Sequence, residues 1–130
     1  MIFNSILIAN RGEIACRIIK TAKEMGIRSI AVYVDADKDS LFVKQADESI
    51  RLEDGGYLDG HQIINAAKMS GAQAIHPGYG FLSENASFAR KVKKEKLIWV
   101  GPSPNVISVM GDKLKAKELA IKADVPTLPM

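Results

Sequence analysis

The chain has a single cysteine, two histidines and no long apolar run, and each scarcity argues against a class of protein. Cys16 alone cannot form an internal disulfide, and its place in an apolar helix pattern indicates a buried thiol in a reducing compartment. His61 and His76 have no thiolate or carboxylate cluster at ligand spacing, so we expect no metal site. Residues 30–34, one of the longest apolar runs, are far shorter than the roughly 18 residues of a membrane span. The sequence therefore predicts neither a disulfide-rich scaffold nor a membrane protein.

Two nucleotide-binding signatures are also missing. The turn after the first apolar run contains only Gly12, whereas a dinucleotide-binding fingerprint has three spaced glycines. Residues 110–113, Met-Gly-Asp-Lys, lack the upstream glycine and the hydroxyl of a P-loop. These absences argue against a nicotinamide enzyme and a P-loop enzyme. Arg11 lies beside a predicted helix start, where it either holds an anion or pairs with a carboxylate such as Glu13, and both interpretations stay open.

The composition that remains is typical of one soluble globular domain. The 130 residues are 47% apolar and 25% charged, and the net charge is +3. Residues 90–130 carry an excess of basic side chains, but the cations between Arg90 and Lys96 have no interleaved aromatic residue. We interpret them as a solvated helix face and expect no nucleic-acid partner. Because the chain begins at once with a strand-like run, we expect no leader peptide.

Short β-branched runs alternate with helical patterns along the chain. Strand-like runs cover residues 5–9, 29–34, 48–52, 72–75 and 97–100, and helical patterns cover residues 13–25, 41–45, 59–71, 83–95, 105–110 and 112–123. This alternation predicts an α/β fold, a doubly wound parallel sheet with helices on both faces. Ligands of such sheets bind outside the carboxyl ends of the strands, which nominates the loops at residues 10–13, 76–81 and 101–104.

The second of these loops has the most distinctive chemistry. The segment His76–Asn85 contains Pro77, two glycines and a predicted helix N-cap at Ser83. Backbone amides beside glycines can approach a ligand, so the segment can bind an anion or a small planar group. The alternative is a strained connector in which Tyr79 and Phe81 only pack. Residue chemistry alone leaves both interpretations open.

Five segments, in order and spacing, carry a specific resemblance. They are residues 8–15 (Ile-Ala-Asn-Arg-Gly-Glu-Ile-Ala), 46–48 (Ala-Asp-Glu), 75–85, 101–102 (Gly-Pro) and 110–113 (Met-Gly-Asp-Lys). Together they resemble the N-terminal domain of biotin carboxylase over nearly the whole chain. The resemblance favours the biotin carboxylase subunits of acyl-CoA carboxylases, of the propionyl-CoA or methylcrotonyl-CoA type.

The resemblance implies that residues 1–130 are a Rossmann-like, pre-ATP-grasp domain, truncated before the ATP-grasp lid. The parent enzyme would be a ligase that phosphorylates bicarbonate with MgATP and carboxylates biotin on a carrier domain. Its implied cofactors are ATP, Mg²⁺ and biotin, and its implied partners are the biotin carboxyl carrier protein or domain, a carboxyltransferase subunit, the ATP-grasp remainder of the chain and a second copy in a homodimer. We expect the isolated domain to be inactive and the compartment to be the cytoplasm, with the mitochondrial matrix as the alternative. A stand-alone nucleotide- or protein-binding module of the same fold is the alternative function.

The resemblance also implies positions for ligand contacts. Lys113 corresponds to a lysine that contacts ATP, with an exposed helix lysine as the alternative. Tyr79 and Gly80 correspond to a loop that faces bicarbonate and biotin, and Glu84 to a nearby carboxylate that could instead stabilise a helix N-terminus as a first-turn acid. Because Tyr79 stands between two glycines in a short segment, we expect its ring to project from the carboxyl edge of the sheet.

Other positions carry structural expectations. Lys20 and Glu24 correspond to a dimer contact, and an exposed ion pair one helical turn apart is the alternative. Arg11 and Glu13 lie in the first signature, where we favour a structural role. Residues 53–58 depart from the family pattern, because many relatives have a longer loop with serine and proline before Tyr-Leu.

Overall fold

A computed structural model describes the backbone of residues 3–111 and the side chains of residues 3–108. It contains β1 (Ser5–Ile8), α1 (Gly12–Glu24), β2 (Arg28–Tyr33), α2 (Leu41–Gln45), β3 (Glu48–Arg51), α3 (Gly60–Ser70), β4 (Ala74–His76), α4 (Ala86–Lys94), β5 (Ile98–Trp99) and α5 (Pro104–Gly111). Single 3₁₀ turns cover Asp35–Asp37 and Gly56–Leu58. Lys113 and the helix predicted over residues 112–123 lie outside the described residues.

The five strands form one parallel sheet in the order β3-β2-β1-β4-β5. Leu7 in β1 is in register with Ile30 of β2 on one side and with Ile75 of β4 on the other. Since the chain first builds outward from β1 to β3 and then returns to the other side of β1, the sheet is doubly wound. The predicted fold class is confirmed.

Two apolar clusters cover the two faces of the sheet. Alternate strand side chains point to opposite faces, so Leu7 and Ile8 belong to different clusters. The first cluster holds the buried residues of α3 and α4, including Ile63, Ala67, Phe88 and Val92. The second holds those of α1 and α2, including Ala15, Ile19 and Phe42. The helices α1 to α4 thus bury their apolar stripes against the two faces of the sheet.

The start of α4 differs from the prediction. Asn85, not Ser83, caps the helix, because its side-chain oxygen accepts a hydrogen bond from the Phe88 amide at 2.9 Å. Turns precede the cap: the Ser83 amide donates to the Gly80 carbonyl and the Asn85 amide to the Leu82 carbonyl. Glu84 therefore precedes the helix, and its interpretation as a first-turn acid is wrong.

The burial of Cys16 on α1 also differs from the prediction. Cys16 is half-buried rather than fully buried, because it lies beside the apolar stripe of α1 and not at its centre. Desolvation, followed by the negative charge of Glu13, raises the pKa of its thiol, which disfavours the nucleophilic thiolate. The cations between Arg90 and Lys96 are all exposed, as expected of a solvated helix face.

Candidate functional site

The loops after β1 and β4 meet where the strand order reverses. β1 is bonded to β2 on one side and to β4 on the other, so helices leave the sheet in opposite directions at this point. Such a switch point opens a crevice at the carboxyl edge of a doubly wound sheet. Two of the three nominated loops, residues 10–13 and 76–81, therefore lie side by side, whereas residues 101–104 follow β5 at the end of the sheet.

Asn10 joins these two loops. It is only 1% exposed, and its Nδ2 donates to the carbonyls of Pro77 at 2.8 Å and Tyr79 at 2.7 Å. Its Oδ1 accepts a hydrogen bond from the Arg11 amide at 2.8 Å. One buried side chain thus satisfies polar backbone groups on both loops. This sets the path of the loop after β4, residues 77–81, which we call the β4 loop. Asn10 lies in the first of the five segments that carry the resemblance, but the sequence pattern indicates no role for it.

Gly78 allows the two loops to approach closely. Its φ of +65° lies in the left-handed region, and a Cβ at this position would lie 2.6 Å from Nδ2 of Asn10. The Gly78 amide donates to Nδ1 of His76 at 3.0 Å, which leaves Nε2 to carry the proton of the neutral ring. Burial lowers the pKa of His76 and favours this neutral form.

Tyr79 and Gly80 form the tip of the loop. Tyr79 is 79% exposed, so the expectation that its ring projects from the sheet edge is confirmed. Gly80 has a φ of +71°, and no atom lies within 4 Å of where a Cβ would stand, so its backbone is open to approach. Tyr79 lines a mostly apolar groove of about 480 Å³ beside α1, together with His76 and Arg17. An exposed ring and an open backbone can contact a planar or anionic ligand.

Phe81, two residues after Tyr79, is 40% exposed and lies partly against a buried ring. Phe81 adopts a φ of +47°, which is rare for an aromatic residue. Its ring lies against the ring of Tyr57, with the centroids 5.3 Å apart and the planes at 54°. For Tyr79 and Phe81 the sequence left both ligand contact and packing open. In the structure the two rings have different surroundings. Among the described residues 3–108, the Phe81 ring packs against an aromatic neighbour and the Tyr79 ring does not.

A buried carboxylate lies beneath this contact. Asp37 accepts hydrogen bonds from Arg11 Nε at 2.7 Å and Arg11 Nη2 at 2.6 Å, and a third from the hydroxyl of Tyr57 at 2.7 Å. The expected structural role of Arg11 is thereby supported, but its partner is Asp37 and not Glu13. The Arg11 guanidinium gives Nε and Nη2 to this bidentate pair, which matches the interpretation of Arg11 as a partner of a carboxylate. The sequence pattern indicates no site role for either Asp37 or Tyr57.

The contribution of the Arg11–Asp37 pair to stability depends on pH. The Arg11 hydrogen bonds hold the pKa of the Asp37 carboxyl below its ordinary value, although burial opposes this. Burial, followed by the hydrogen bond to Asp37, raises the pKa of Tyr57. Since the folded-state pKa of Asp37 is depressed, its contribution to stability is present above about pH 4 and is lost as the pH falls through the folded-state value.

The other predicted site residues are not part of the Arg11–Asp37–Tyr57 cluster. Glu84 is exposed in the turn before α4 and belongs to the same segment as Tyr79. Lys20 and Glu24 are exposed in the second half of α1, whereas the first turn of that helix adjoins the site. They do not pair with each other among the ion pairs of residues 3–108. Lys113 lies outside the described residues.

None of residues 3–108 is assigned to a nucleotide phosphate or its metal ion. The Asn10 side chain and the Gly78 backbone are in close contact between the two loops. Within residues 3–108, no group of three His, Cys, Asp or Glu side chains is placed to hold a metal ion. Over the same part of the chain, no helix has the length and hydrophobicity needed to cross a membrane.

Comparison with known proteins gives close relatives. The chain is 55% identical over 128 residues to the mitochondrial methylcrotonoyl-CoA carboxylase subunit alpha of Dictyostelium discoideum, covering 95% of this chain and 18% of that protein. It is 50% identical over 131 aligned positions to the propionyl-CoA carboxylase alpha chain of Ruegeria pomeroyi, covering 98% of this chain and 19% of that protein. The chain therefore spans about a fifth of the length of these curated relatives.

Solved structures agree with this relationship. The urea amidolyase of Kluyveromyces lactis superimposes with a TM-score of 0.94 at 54% identity, over 98% of this chain and 8% of that one. The biotin carboxylase domain dimer of Hydrogenobacter thermophilus 2-oxoglutarate carboxylase, in complex with MgADP, ADP and bicarbonate, gives a TM-score of 0.94 at 44% identity, over 99% and 29% of the two chains. The family described as "Biotin carboxylase, N-terminal domain" matches residues 2–107. The chain belongs to the biotin carboxylase N-terminal domain family.

Proposed function

We propose that this chain is the N-terminal domain of an ATP-dependent biotin carboxylase, and that its β4 loop faces the bicarbonate and biotin of the parent enzyme. The observation that carries the proposal is the exposed ring of Tyr79 on a loop held at the carboxyl edge of the sheet. The matched relatives include carboxylase chains, so a stand-alone nucleotide- or protein-binding module is not favoured.

The chemistry of the loop suits the proposed ligands. Biotin has a planar ureido ring and bicarbonate is a small anion, so one needs a flat apolar contact and the other needs polar donors. The Tyr79 ring offers an amphipathic face, and the open backbone at Gly80 allows close approach. We assign Glu84 a place near this surface, where a carboxylate repels a second anion and limits where bicarbonate can lie. The proposed role of these residues is to bind and orient substrates.

ATP and Mg²⁺ enter the proposal through the remainder of the enzyme. The related Hydrogenobacter domain is described with MgADP and bicarbonate, which supports nucleotide use in this family. In this chain we assign the ATP contact to Lys113, whose cation can pair with a phosphate or donate to a base. ATP and Mg²⁺ supply the activation of bicarbonate, and none of residues 3–108 is assigned to that step.

The proposed partners follow from the relatives. Several are multidomain or multisubunit carboxylases, and one solved domain is a dimer. We propose that a biotin carboxyl carrier and a carboxyltransferase act with the parent enzyme and that the exposed Lys20 and Glu24 face a second copy. The proposed compartment is the cytoplasm, with the mitochondrial matrix as the alternative, because relatives include a bacterial chain and mitochondrial ones.

Tyr79→Ala tests the loop assignment in the full-length carboxylase that contains this domain. We expect kcat/KM for free biotin to fall about tenfold or more, because the substitution truncates a ligand-facing ring. The melting temperature should move by no more than about 2 °C, since exposed side chains contribute little to stability.

Met69→Ala is the matched control, because Met69 is 74% exposed on α3 and lies outside the loop. It should leave both quantities unchanged. A buried aromatic truncation typically costs about 3–5 kcal/mol. A large drop in the melting temperature of Tyr79→Ala, with biotin kinetics unaltered in the folded fraction, would therefore make Tyr79 a packing residue.

Lys113→Ala tests the nucleotide assignment in the same enzyme. A charge-assisted hydrogen bond is worth about 1.5–3 kcal/mol, so we expect the KM for ATP to rise by about tenfold or more. Initial rates against ATP concentration give this value, with Lys115→Ala as the neighbouring control. Unchanged KM and kcat would show that Lys113 is a solvated lysine that does not contact ATP.

A further inference from the structure

We infer that Asp37 is a positioning residue that holds the β4 loop, residues 77–81, in place through two separate routes of contact. Its importance for catalysis rests on the proposed function, because that proposal gives the loop its ligand role. Asp37 follows β2 and is 40 residues away in sequence from Pro77. Its side chain is 5% exposed, and three hydrogen bonds converge on its two oxygens.

The first route runs through the loop after β1. The bidentate pair with Asp37 orients the Arg11 side chain, and the Arg11 amide donates to Oδ1 of Asn10 at 2.8 Å. Nδ2 of the same asparagine donates to the carbonyls of Pro77 and Tyr79. The carboxylate is thus linked to the backbone on both sides of Gly78 by hydrogen bonds to Arg11, the Arg11 side chain itself, and the hydrogen bonds of Asn10.

The second route runs through the 3₁₀ turn after β3. The Tyr57 hydroxyl donates to Oδ2 of Asp37 at 2.7 Å, which orients a buried ring. That ring contacts Phe81 at a centroid distance of 5.3 Å. Because Phe81 holds a left-handed φ of +47°, the loop depends on contacts outside itself to keep this conformation.

The cluster requires a carboxylate at this position. Arg11 and Tyr57 both donate, and only an ionised carboxylate offers acceptors on both oxygens without presenting a donor of its own. An asparagine would turn an NH₂ group toward one of these donors. Asp35, two residues earlier, provides the contrast: its side chain is 69% exposed and pairs with Arg51, and among the hydrogen bonds of residues 3–108 its carboxylate makes none to Arg11, Tyr57 or the loop.

Asp37→Asn and its matched control Asp35→Asn, both in the full-length carboxylase, test the inference. In Asp37→Asn, hydrogen exchange at the hydrogen-bonded amides of Gly78, Ser83 and Asn85 should quicken about tenfold, because freeing the loop lowers the cost of local opening. In Asp35→Asn the same amides should stay within about twofold of the parent rate.

Steady-state kinetics give a second measurement, and a loss of stability alone would not change it. A variant with fewer folded molecules lowers kcat and leaves KM unchanged, whereas a displaced loop binds its own substrate less well. We therefore expect Asp37→Asn to raise the KM for free biotin about fivefold or more while the KM for ATP changes less than about twofold.

Tyr57→Phe keeps the inference testable where Asp37→Asn fails to fold. It preserves the Arg11 pair and the ring against Phe81. It removes one donor to Asp37 and the hydroxyl that accepts from the Val34 amide, so exchange at the amides of Gly78, Ser83 and Asn85 should quicken by about threefold. Unchanged exchange of these amides in either folded variant, or an equal rise in Asp35→Asn, would overturn the positioning role. Faster exchange in Asp37→Asn together with no biotin carboxylation by the parent enzyme would uphold the positioning role and overturn the proposed function instead.

Discussion

Asn10→Leu is expected to destabilise the 130-residue chain by about 3 kcal/mol, because it leaves a buried carbonyl without its donor. The lost bonds are those from Nδ2 to the carbonyls of Pro77 and Tyr79 and that from the Arg11 amide to Oδ1. The Pro77 carbonyl is the costlier loss, since its bond is buried and water cannot replace it. Thermal unfolding should show a melting temperature lower by about 10 °C.

Asn65→Leu is the matched control, since it makes the same change at an exposed position of α3. It should alter the free energy of unfolding by no more than about 0.5 kcal/mol. If the two variants unfold at the same temperature, Asn10 does not join the loops in the way its hydrogen bonds indicate.

Gly78→Ala is expected to cost about 3 kcal/mol or more, because two penalties coincide. The left-handed backbone disfavours any Cβ by about 1–2 kcal/mol. The added methyl would also lie 2.6 Å from Nδ2 and 3.0 Å from Cβ and Cγ of Asn10, which is buried and cannot move aside without breaking its hydrogen bonds. Chemical denaturation of the 130-residue chain measures the sum.

Gly26→Ala separates the two penalties. Gly26 has a φ of +71° and nothing within 4 Å of the Cβ position, so this variant should lose only about 1–2 kcal/mol. A double-mutant cycle completes the test: in an Asn10→Ala background the cost of Gly78→Ala should fall toward that of Gly26→Ala. An undiminished cost in that background would show that the methyl meets something other than Asn10.

Much of the fold could be predicted because its signals are local. Asp59 and Gly71 bound α3 as expected: the Asp59 side chain accepts a hydrogen bond from the Gln62 amide, and Gly71 ends the helix at a φ of +73°. The start of α4 was misplaced because Ser83 and Asn85 are both good capping residues. Only the turns after Gly80 decide which of them lies one position before the helix.

The sequence by itself determined the doubly wound fold, the three loops at the carboxyl ends of the strands and the exposure of Tyr79, because each depends on periodicity and on neighbouring glycines. Which two of the three loops meet at the switch point was decided by the strand order of the sheet. Only the tertiary structure decided that Arg11 pairs with Asp37, 26 residues away, and that Tyr57 completes the cluster. Asp37 reads as one acid in a polar run, and nothing local distinguishes it from exposed Asp35. Burial of one and not the other follows from how β1, β2 and β3 lie side by side, since hydrogen bonds between strand ends form only after the sheet has assembled.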